Sequence, residues 1–242
     1  MGYVNYDIFV RYEDVDKNNR LTIKGLLKYL VDAASKHSDL AGYGLNDIPK
    51  THTAWLILDW KLNISYYPHS GENIHIRTWI RNNSKLYSFR DFEVLDNTGS
   101  RIAIGSSKWV LVNYDTKAIS KISPEIIESY GPVNNMIFTE EIEKLNEPKG
   151  EFSNRFDYTI LRRDLDTNNH VNNLNYIDFA LESLPMEIYE SNSFKEINIM
   201  YKKQCLLGDK ISCLYYHNEN KEHIVVIKSE DFSILHSIIK LK

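Results

Sequence analysis

Apolar residues recur at helical spacing in two widely separated parts of the chain. The first set falls at i, i+3, i+4, i+7, i+8 and i+11 and comprises Ile23, Leu26, Leu27, Leu30, Val31 and Ala34. The second set has the same kind of spacing and comprises Tyr176, Ile177, Ala180, Leu181 and Leu184. Such spacing places apolar side chains along one face of a helix, so each set predicts an amphipathic helix.

Each predicted helix is followed by runs of strand length that are apolar or alternate between apolar and polar residues. In the first half they cover 54–64, 74–80, 87–95 and 102–112, and in the second half 195–201, 211–216, 224–228 and 234–241. Between two of these runs stands Asp96-Asn97-Thr98-Gly99, which is typical of a hairpin turn. Each half is therefore predicted to contain a strand, a long helix and then several antiparallel strands.

The residues that precede the two predicted helices repeat each other. Residues 13–21 read Glu-Asp-Val-Asp-Lys-Asn-Asn-Arg-Leu, and residues 163–171 read Arg-Asp-Leu-Asp-Thr-Asn-Asn-His-Val, so that both Asp and both Asn coincide at an offset of 150. A second echo, at an offset of 137, relates 66–74 to 203–211 through a Gly and an acid placed between two strands. Two echoes in the same order indicate that the chain arose by duplication.

The repeated order of elements matches the plan of the hotdog fold, in which a curved sheet wraps around one central helix. We therefore predict an α+β fold, a double hotdog made of two fused modules. The N-terminal module is expected at 1–122 and the C-terminal module at 155–242. The crossover linker between them, 123–154, is expected to hold a short helix, because Ser123-Pro124-Glu125 is typical of a helix start.

Composition and charge exclude several classes of protein. Hydrophobic residues make up 43% and charged residues 26%, which is ordinary for a globular protein. The net charge of −4 gives no global basic field of the kind that nucleic-acid-binding proteins show. The apolar runs, such as 109–112, are far too short to span a bilayer, and two cysteines cannot form a disulfide framework. We expect a cytoplasmic protein that binds neither nucleic acid nor membrane.

The two halves differ at one position of the repeated segment. His170 stands where the first half has Arg20. A neutral imidazole can take and give a proton near neutral pH, whereas a guanidinium cannot. This difference favours catalysis in the second half, with the first half as scaffold or pocket. The alternative is that His170 is a surface turn residue without a chemical role.

The surroundings of the histidine favour catalysis. Asp166, Asn168 and His170 occupy alternate positions, and alternate side chains share one face if the segment is extended. The start of the next helix, near Asn172 and Asn173, would supply free N–H groups for a developing oxyanion. A carboxylate, an amide, an imidazole and an oxyanion site together suit the hydrolysis of an activated acyl group.

The segment 164–176 resembles the signature of the acyl-ACP thioesterases, the plastid enzymes of plants and their bacterial relatives. The likeness continues in order through 53–55, 78–79, 87–90, 107–111, 181–185 and 201–205, and so covers nearly the whole chain. The resemblance implies hydrolysis of acyl-ACP to free fatty acid, with Asp166, Asn168 and His170 as catalytic residues and with no cofactor. Four other histidines, His69, His75, His217 and His223, are scattered and give no metal-ligand spacing, so we expect no metal.

One departure from the family pattern concerns its proposed catalytic network. Where the family has a Glu before a Cys, this chain has Gln204 before Cys205. A glutamine can form hydrogen bonds but cannot act as a base. Three outcomes are open: Asp166 and His170 suffice, another acid substitutes, or turnover is slow. Cys205 is read as a small buried hydrophobe in preference to a nucleophile paired with His170.

The resemblance implies an acyl carrier protein as partner, with the acyl chain linked through phosphopantetheine. Four basic residues flank the predicted site and are candidates for docking this acidic partner: Arg162, Arg163, Lys202 and Lys203. Two alternatives to acyl-ACP hydrolysis stay open: an acyl-CoA thioesterase with the same site, and a non-catalytic sensor that binds acyl thioesters. A homodimer is also open.

Overall fold

The protein is seen in a computed structural model that describes residues 2–81, 85–191 and 194–242. The chain divides into two compact units, Met1–Ile142 and Glu143–Lys242. All eight strands for which the sequence predicted limits are present, and their ends lie within one residue of the prediction. No helix in the described part of the chain is long and apolar enough to cross a membrane.

The N-terminal unit is a five-stranded antiparallel sheet with one long helix. Its elements are β1 (Val4–Phe9), α1 (Ile23–Ala41), α2 (Ile48–Thr51), β2 (Thr53–Ile64), β3 (Asn73–Ile80), β4 (Tyr87–Asp96), β5 (Arg101–Asn113) and α3 (Pro124–Tyr130). The strands lie in the order β1-β3-β4-β5-β2. The predicted hairpin turn between β4 and β5 is confirmed, with the Gly99 N–H donating to the Asp96 carbonyl at 3.0 Å and Gly99 at φ 83°.

Helix α1 forms and packs as its apolar stripe predicts. The Thr22 side chain caps its first turn by accepting the Gly25 N–H, and Gly42 ends it in the left-handed conformation. Leu26, Leu27 and Leu30 are buried in the core. The helix approaches the sheet closely at β5, because a Cβ atom on Gly105 would lie 3.6 Å from the Leu30 side chain.

Helix α3 lies inside the predicted linker, and its start at Pro124 confirms the short helix expected there. It packs against the rest of the N-terminal unit, where Ile126 and Tyr130 share one buried cluster with Ile80 and Leu111. The Tyr130 hydroxyl donates to Ser38 of α1 at 3.0 Å.

The C-terminal unit repeats the plan with a shorter helix. Its elements are β6 (Asn154–Thr159), α4 (Asn175–Glu182), α5 (Met186–Ser191), β7 (Glu196–Tyr201), β8 (Lys210–His217), β9 (His223–Ser229) and β10 (Leu235–Leu241). All neighbouring strands are antiparallel, in the order β7-β10-β9-β8-β6. Helix α4 packs against β6, β8, β9 and β10.

The second helix ends earlier than its apolar stripe predicted. Helix α4 has 8 residues and stops at Glu182, whereas α1 has 19. Pro185 accounts for the early end, because proline has no N–H and disfavours the helical conformation of the residue before it. The prediction that the helix reaches Leu184 is therefore wrong, although Leu184 is still buried at 6% exposure.

Candidate active site

The segment Asp166–His170 forms a tight turn, so the prediction that it is extended is wrong. The Asp166 N–H donates to the His170 carbonyl at 2.8 Å, and the Asn169 N–H donates to the Asp166 carbonyl at 3.1 Å. Asn169 takes the left-handed conformation at φ 59°, which asparagine tolerates better than most residues. A β-bridge between Leu165 and Val171 closes the turn.

The turn brings Asp166 and His170 to one side. Oδ1 of Asp166 accepts the N–H groups of Asn168 at 2.7 Å and His170 at 3.3 Å. Facing residues of an antiparallel pair project to the same side, and Asp166 faces His170 across this turn. Asn168 lies at the exposed tip and supplies its backbone N–H. The turn therefore places the Asp166 and His170 side chains on the same side, while the Asn168 side chain makes no hydrogen bond with another described residue.

The imidazole of His170 has both nitrogens available. The residue is half-buried, and its ring forms no hydrogen bond or ion pair with any other residue that the structure describes. Oδ2 of Asp166 is likewise without a hydrogen bond to the described residues. An ordered carboxylate beside an uncommitted imidazole can move protons to and from a bound molecule.

The two predicted oxyanion donors differ in availability. The Asn172 N–H donates to the Asp164 carbonyl at 2.8 Å, and the Asn172 side chain accepts the Leu174 N–H at 3.0 Å. The prediction of a free amide at Asn172 is therefore wrong, because the chain uses that group to enter α4. The Asn173 N–H forms no hydrogen bond within the described part of the chain. Its carbonyl accepts the Tyr201 hydroxyl at 3.0 Å.

Cys205 contributes its backbone to the site. Its N–H donates to the Tyr176 hydroxyl at 3.1 Å, and its carbonyl accepts the Val171 N–H at 3.0 Å. The side chain is fully buried, and this burial raises the pKa of the thiol to about 11. The alternative of a Cys205–His170 nucleophile pair is contradicted, because a buried protonated thiol is a poor nucleophile. Gln204, directly before it, is exposed.

Three supporting residues were not singled out from the sequence. Tyr201 holds Asn173, Tyr176 holds Cys205, and the two rings meet edge to face at 5.6 Å. Burial raises the pKa of both phenols and so keeps both protonated; the Tyr201 hydroxyl donates to Asn173, whereas the Tyr176 hydroxyl accepts from Cys205. Both tyrosines lie inside the quoted family motifs, which was a usable signal. His236 donates from Nδ1 to the Lys203 carbonyl at 2.7 Å, and no sequence pattern marks it.

The four predicted docking residues are exposed and lie on two segments that flank the turn. Arg162 and Arg163 open a 3-10 turn after β6, and Lys202 and Lys203 follow β7. Backbone hydrogen bonds hold the two segments together: the Ile160 N–H donates to Asp209 at 2.8 Å, and the Gly208 N–H donates to Ile160 at 3.0 Å.

The N-terminal unit contains a second copy of the turn. Oδ1 of Asp16 accepts the N–H groups of Asn18 and Arg20, both at 2.9 Å. The Leu21 N–H donates to the Pro68 carbonyl at 2.7 Å, as the Val171 N–H does to Cys205. The Arg20 guanidinium lies 3.8 Å from the second oxygen of Asp16. An arginine thus pairs with the carboxylate in this copy, where the other copy has the uncommitted His170.

Two helix-on-sheet modules, of which one carries a carboxylate and an imidazole on its turn, define a double hotdog of thioesterase type. The chain belongs to the acyl-ACP thioesterase family. The N-terminal domain of this family matches residues 4–130, and its C-terminal domain matches residues 147–239.

Known relatives agree with this assignment. The chain is 27% identical to oleoyl-acyl carrier protein thioesterase 1, chloroplastic, of Arabidopsis thaliana, over 85% of this chain and 61% of that protein. It therefore spans about three-fifths of this curated relative's length.

Two solved structures share the fold. An acyl-ACP thioesterase from Bacteroides thetaiotaomicron is 23% identical with a TM-score of 0.88, covering 99% of this chain and 96% of that one. The 12:0-ACP thioesterase from Umbellularia californica is 21% identical with a TM-score of 0.87, over the same shares. The predicted double hotdog is confirmed.

Proposed function

We propose that this chain hydrolyses acyl-ACP thioesters to free fatty acid and acyl carrier protein, and so ends chain growth in fatty acid biosynthesis. The turn with Asp166 and His170 carries the proposal, since it orders a carboxylate and leaves an imidazole uncommitted on the same side. Membership of the acyl-ACP thioesterase family supports the reaction and the carrier. The partner is the carrier protein with its acyl chain on phosphopantetheine.

The proposed mechanism assigns the site residues as follows. Asp166, ordered by the Asn168 N–H, takes a proton from water while the water oxygen bonds to the thioester carbonyl carbon. The Asn173 N–H stabilises the negative oxygen of the tetrahedral intermediate. As the C–S bond breaks, His170 gives a proton to the pantetheine thiolate and then recovers one from Asp166. Direct attack by Asp166 is the alternative first step. The mechanism uses neither cofactor nor metal.

The two modules divide the work in this proposal. The C-terminal module, 155–242, is catalytic, and the N-terminal module, 1–122, forms an acyl-chain pocket without catalysis; 123–154 joins them. The Asp16–Arg20 ion pair supports the division, because a guanidinium cannot shuttle protons at neutral pH. The proposal places the chain in the cytoplasm, apart from nucleic acid and membrane, with a homodimer as the assembly to test by sedimentation.

A second candidate is a non-catalytic sensor of acyl thioesters. Gln204 favours it, because its amide cannot replace the base that the family's Glu would provide. Gln204 and Cys205 stand at the positions of the family's proposed catalytic network. Gln204 has no carboxylate, and the buried Cys205 thiol stays protonated, so it supplies no thiolate.

The test measures thiol release from a panel of acyl-ACPs, with acyl-CoAs of the same chains beside them. We expect wild-type turnover to fall by about two to four orders of magnitude in His170→Ala, the loss typical of a general acid–base group. Arg20→Ala, at the same position of the other turn, is the matched control and should keep the wild-type rate.

Each other outcome has a defined meaning. Faster turnover on CoA than on ACP would assign the acyl-CoA alternative. Binding of acyl-ACP by the wild type without thiol release would reject hydrolysis in favour of the sensor. In that case Gln204→Glu tests whether the missing carboxylate is the cause.

A further inference from the structure

Three leucines beside the candidate active site have large exposed fractions. Leu161 is 42% exposed, Leu206 is 51% and Leu207 is 53%. Leu161 follows Ile160, which exchanges backbone hydrogen bonds with Gly208 and Asp209, directly after the other two leucines. These contacts hold the three residues on neighbouring segments, and we call them the leucine surface.

Positive charge flanks the leucine surface. Arg162 and Arg163 directly follow Leu161, and Lys202 and Lys203 precede Leu206 in the same loop. All four are exposed, and none forms an ion pair with another described residue.

The nearby carboxylates are engaged by the protein itself. Asp164 is buried at 6% exposure, and its Oδ2 accepts the Leu161 N–H at 2.7 Å and the Tyr158 hydroxyl at 3.0 Å. Oδ2 of Asp209 accepts the Leu206 N–H at 2.8 Å. The acidic groups therefore shape the two segments. Arg162, Lys202 and Lys203 are exposed, and Arg163 is exposed while its side chain hydrogen-bonds to Tyr158.

The N-terminal unit provides an internal comparison, because it has the same two segments with matching backbone hydrogen bonds. There the Val10 N–H donates to Glu72 at 2.9 Å and the Gly71 N–H donates to Val10 at 3.0 Å. The positions equivalent to the leucines and the four basic residues are Arg11, Tyr12, Glu13, Ser65, Tyr66, His69 and Ser70. They carry no leucine, and their single arginine lies 3.8 Å from Glu13.

We propose that the leucine surface, with its four basic neighbours, is the docking surface for an acidic carrier protein, and that each chain docks one carrier, at its C-terminal unit. The nature of the partner rests on the proposed function. An apolar centre with a polar rim is typical of a specific protein–protein interface, and here the rim is basic. The rim steers an acidic protein into place, and the leucines make the contacts that retain it.

The test uses a carrier protein that bears its acyl chain through an amide in place of the thioester, so that binding is separated from hydrolysis. Leu206→Ser combined with Leu207→Ser should weaken binding roughly tenfold, the loss expected when central apolar contacts are truncated. Lys202→Ala combined with Lys203→Ala should weaken binding at low salt and much less at high salt. The control, Leu45→Ser with Ile119→Ser, changes two side chains that are both 65% exposed in the N-terminal unit, and should bind as wild type does.

Activity on a small acyl-CoA or acyl-pantetheine substrate reports on folding and should be unchanged in the leucine variant. Wild-type carrier affinity in that variant would overturn the proposal. So would a change of its oligomeric state in sedimentation, which would make the leucine surface a contact between copies of this chain. If the wild type binds the amide-linked carrier but releases no thiol from the thioester, the proposed hydrolysis is rejected while the proposed docking surface is retained.

Discussion

A single residue distinguishes the N-terminal turn, which has only a structural role in our proposal, from the C-terminal turn, which has the groups for acid–base catalysis. The two copies share the same backbone hydrogen bonds and the same left-handed asparagine, at φ 60° in Asn19 and φ 59° in Asn169. They differ in the residue that faces the carboxylate, which is Arg20 in one copy and His170 in the other. The carboxylate of Asp166 therefore has two roles. It accepts the backbone hydrogen bonds that stabilise the turn, and it supplies a negative charge for the proposed chemistry; substitutions can separate the two roles.

We predict that Asp166→Asn removes activity while it preserves the fold. Its side-chain oxygen can still accept the Asn168 and His170 N–H groups, so the melting temperature should stay close to that of the wild type. Turnover of acyl-ACP should fall by about two orders of magnitude or more, because the charge is lost. Asp166→Ala should lose activity and also about 1 kcal/mol of stability, the usual cost of removing a capping acceptor. Near-wild-type turnover in Asp166→Asn would contradict the assigned role.

His37 is a buried histidine outside the candidate site. It is fully buried, its Nε2 donates to the Tyr130 carbonyl at 3.1 Å, and its Nδ1 accepts from Arg90 at 2.9 Å. Burial and the charge of Arg90 lower the pKa of His37 from 6.5 to about 4. The unfolded chain therefore binds this proton at a higher pH than the folded chain does.

We predict that this histidine makes the protein sensitive to mild acid. Its contribution is complete above about pH 6.5 and is lost as the pH falls toward about 4, amounting to at most about 3 kcal/mol. Urea unfolding at pH 7 and pH 4.5 should show a smaller loss of unfolding free energy in His37→Gln than in the wild type. Parallel pH curves for the two proteins would contradict the prediction.

At the scale of elements, the close packing of the turn against the first turn of α1 explains a glycine that helix propensity would disfavour. Gly25 lies in the first turn of α1, where a Cβ atom would stand 2.8 Å from the Asp14 carbonyl oxygen and 2.8 Å from the Leu21 side chain. That carbonyl also accepts the N–H and hydroxyl of the capping residue Thr22. The glycine lets the repeated turn pack directly on the helix that follows it.

We predict that Gly25→Ala destabilises the protein by about 1 to 3 kcal/mol, the usual cost of overpacking. Helix propensity alone predicts the opposite, a gain of about 1 kcal/mol. Ser35→Ala, at an exposed position of the same helix, is the control and should change stability by less than about 0.5 kcal/mol. Chemical unfolding of both variants measures the effect, and a stabilised Gly25→Ala would show that the turn moves aside.

At the scale of the whole molecule, the same fold occurs twice, and only the C-terminal copy has both the imidazole on its turn and the leucine surface. Both echoes in the sequence correspond to matching backbone hydrogen bonds, which supports a duplicated origin. The copies have diverged at the turn, where Arg20 replaces the imidazole, and at the neighbouring surface, where the leucines are absent from the equivalent positions. A histidine placed at position 20 should therefore still leave the N-terminal unit without the leucine surface.

We predict that Arg20→His does not rescue the His170→Ala variant. The double variant has a carboxylate, an asparagine and an imidazole on the N-terminal turn, yet that unit has Arg11, His69 and Ser70 in place of the leucine surface. Acyl-ACP turnover should stay at the level of His170→Ala, and Arg20→His alone should keep wild-type activity. Recovered turnover in the double variant would mean that the turn is sufficient and that docking does not distinguish the units.

Much of the fold was readable from the sequence, because its signals are local. Periodicity reports which face of a helix or strand is buried, and it located eight of the ten described strands to within one residue, although it gave no limits for β1 and β6. The predicted end of the second helix was wrong. Its apolar stripe continues to Leu184, but the helix ends at Glu182, shortly before Pro185. At the site, Asp166 and His170 were identified by residue type and spacing, but their segment was taken as extended although it turns. The spacing alone does not show that Asn169 adopts a left-handed conformation.

The sequence by itself determined the class of fold, the duplication, the family resemblance and the residues able to carry acid–base chemistry, because side-chain chemistry and periodicity belong to the chain. The tertiary structure alone decided which of these groups are available. The backbone N–H of Asn172 donates to Asp164, that of Asn173 forms no hydrogen bond with the residues that the structure describes, and Tyr201 bonds to Asn173 across 28 positions. The tertiary structure also assembled the leucine surface from two distant segments. Such contacts depend on how elements pack, which a local pattern does not encode.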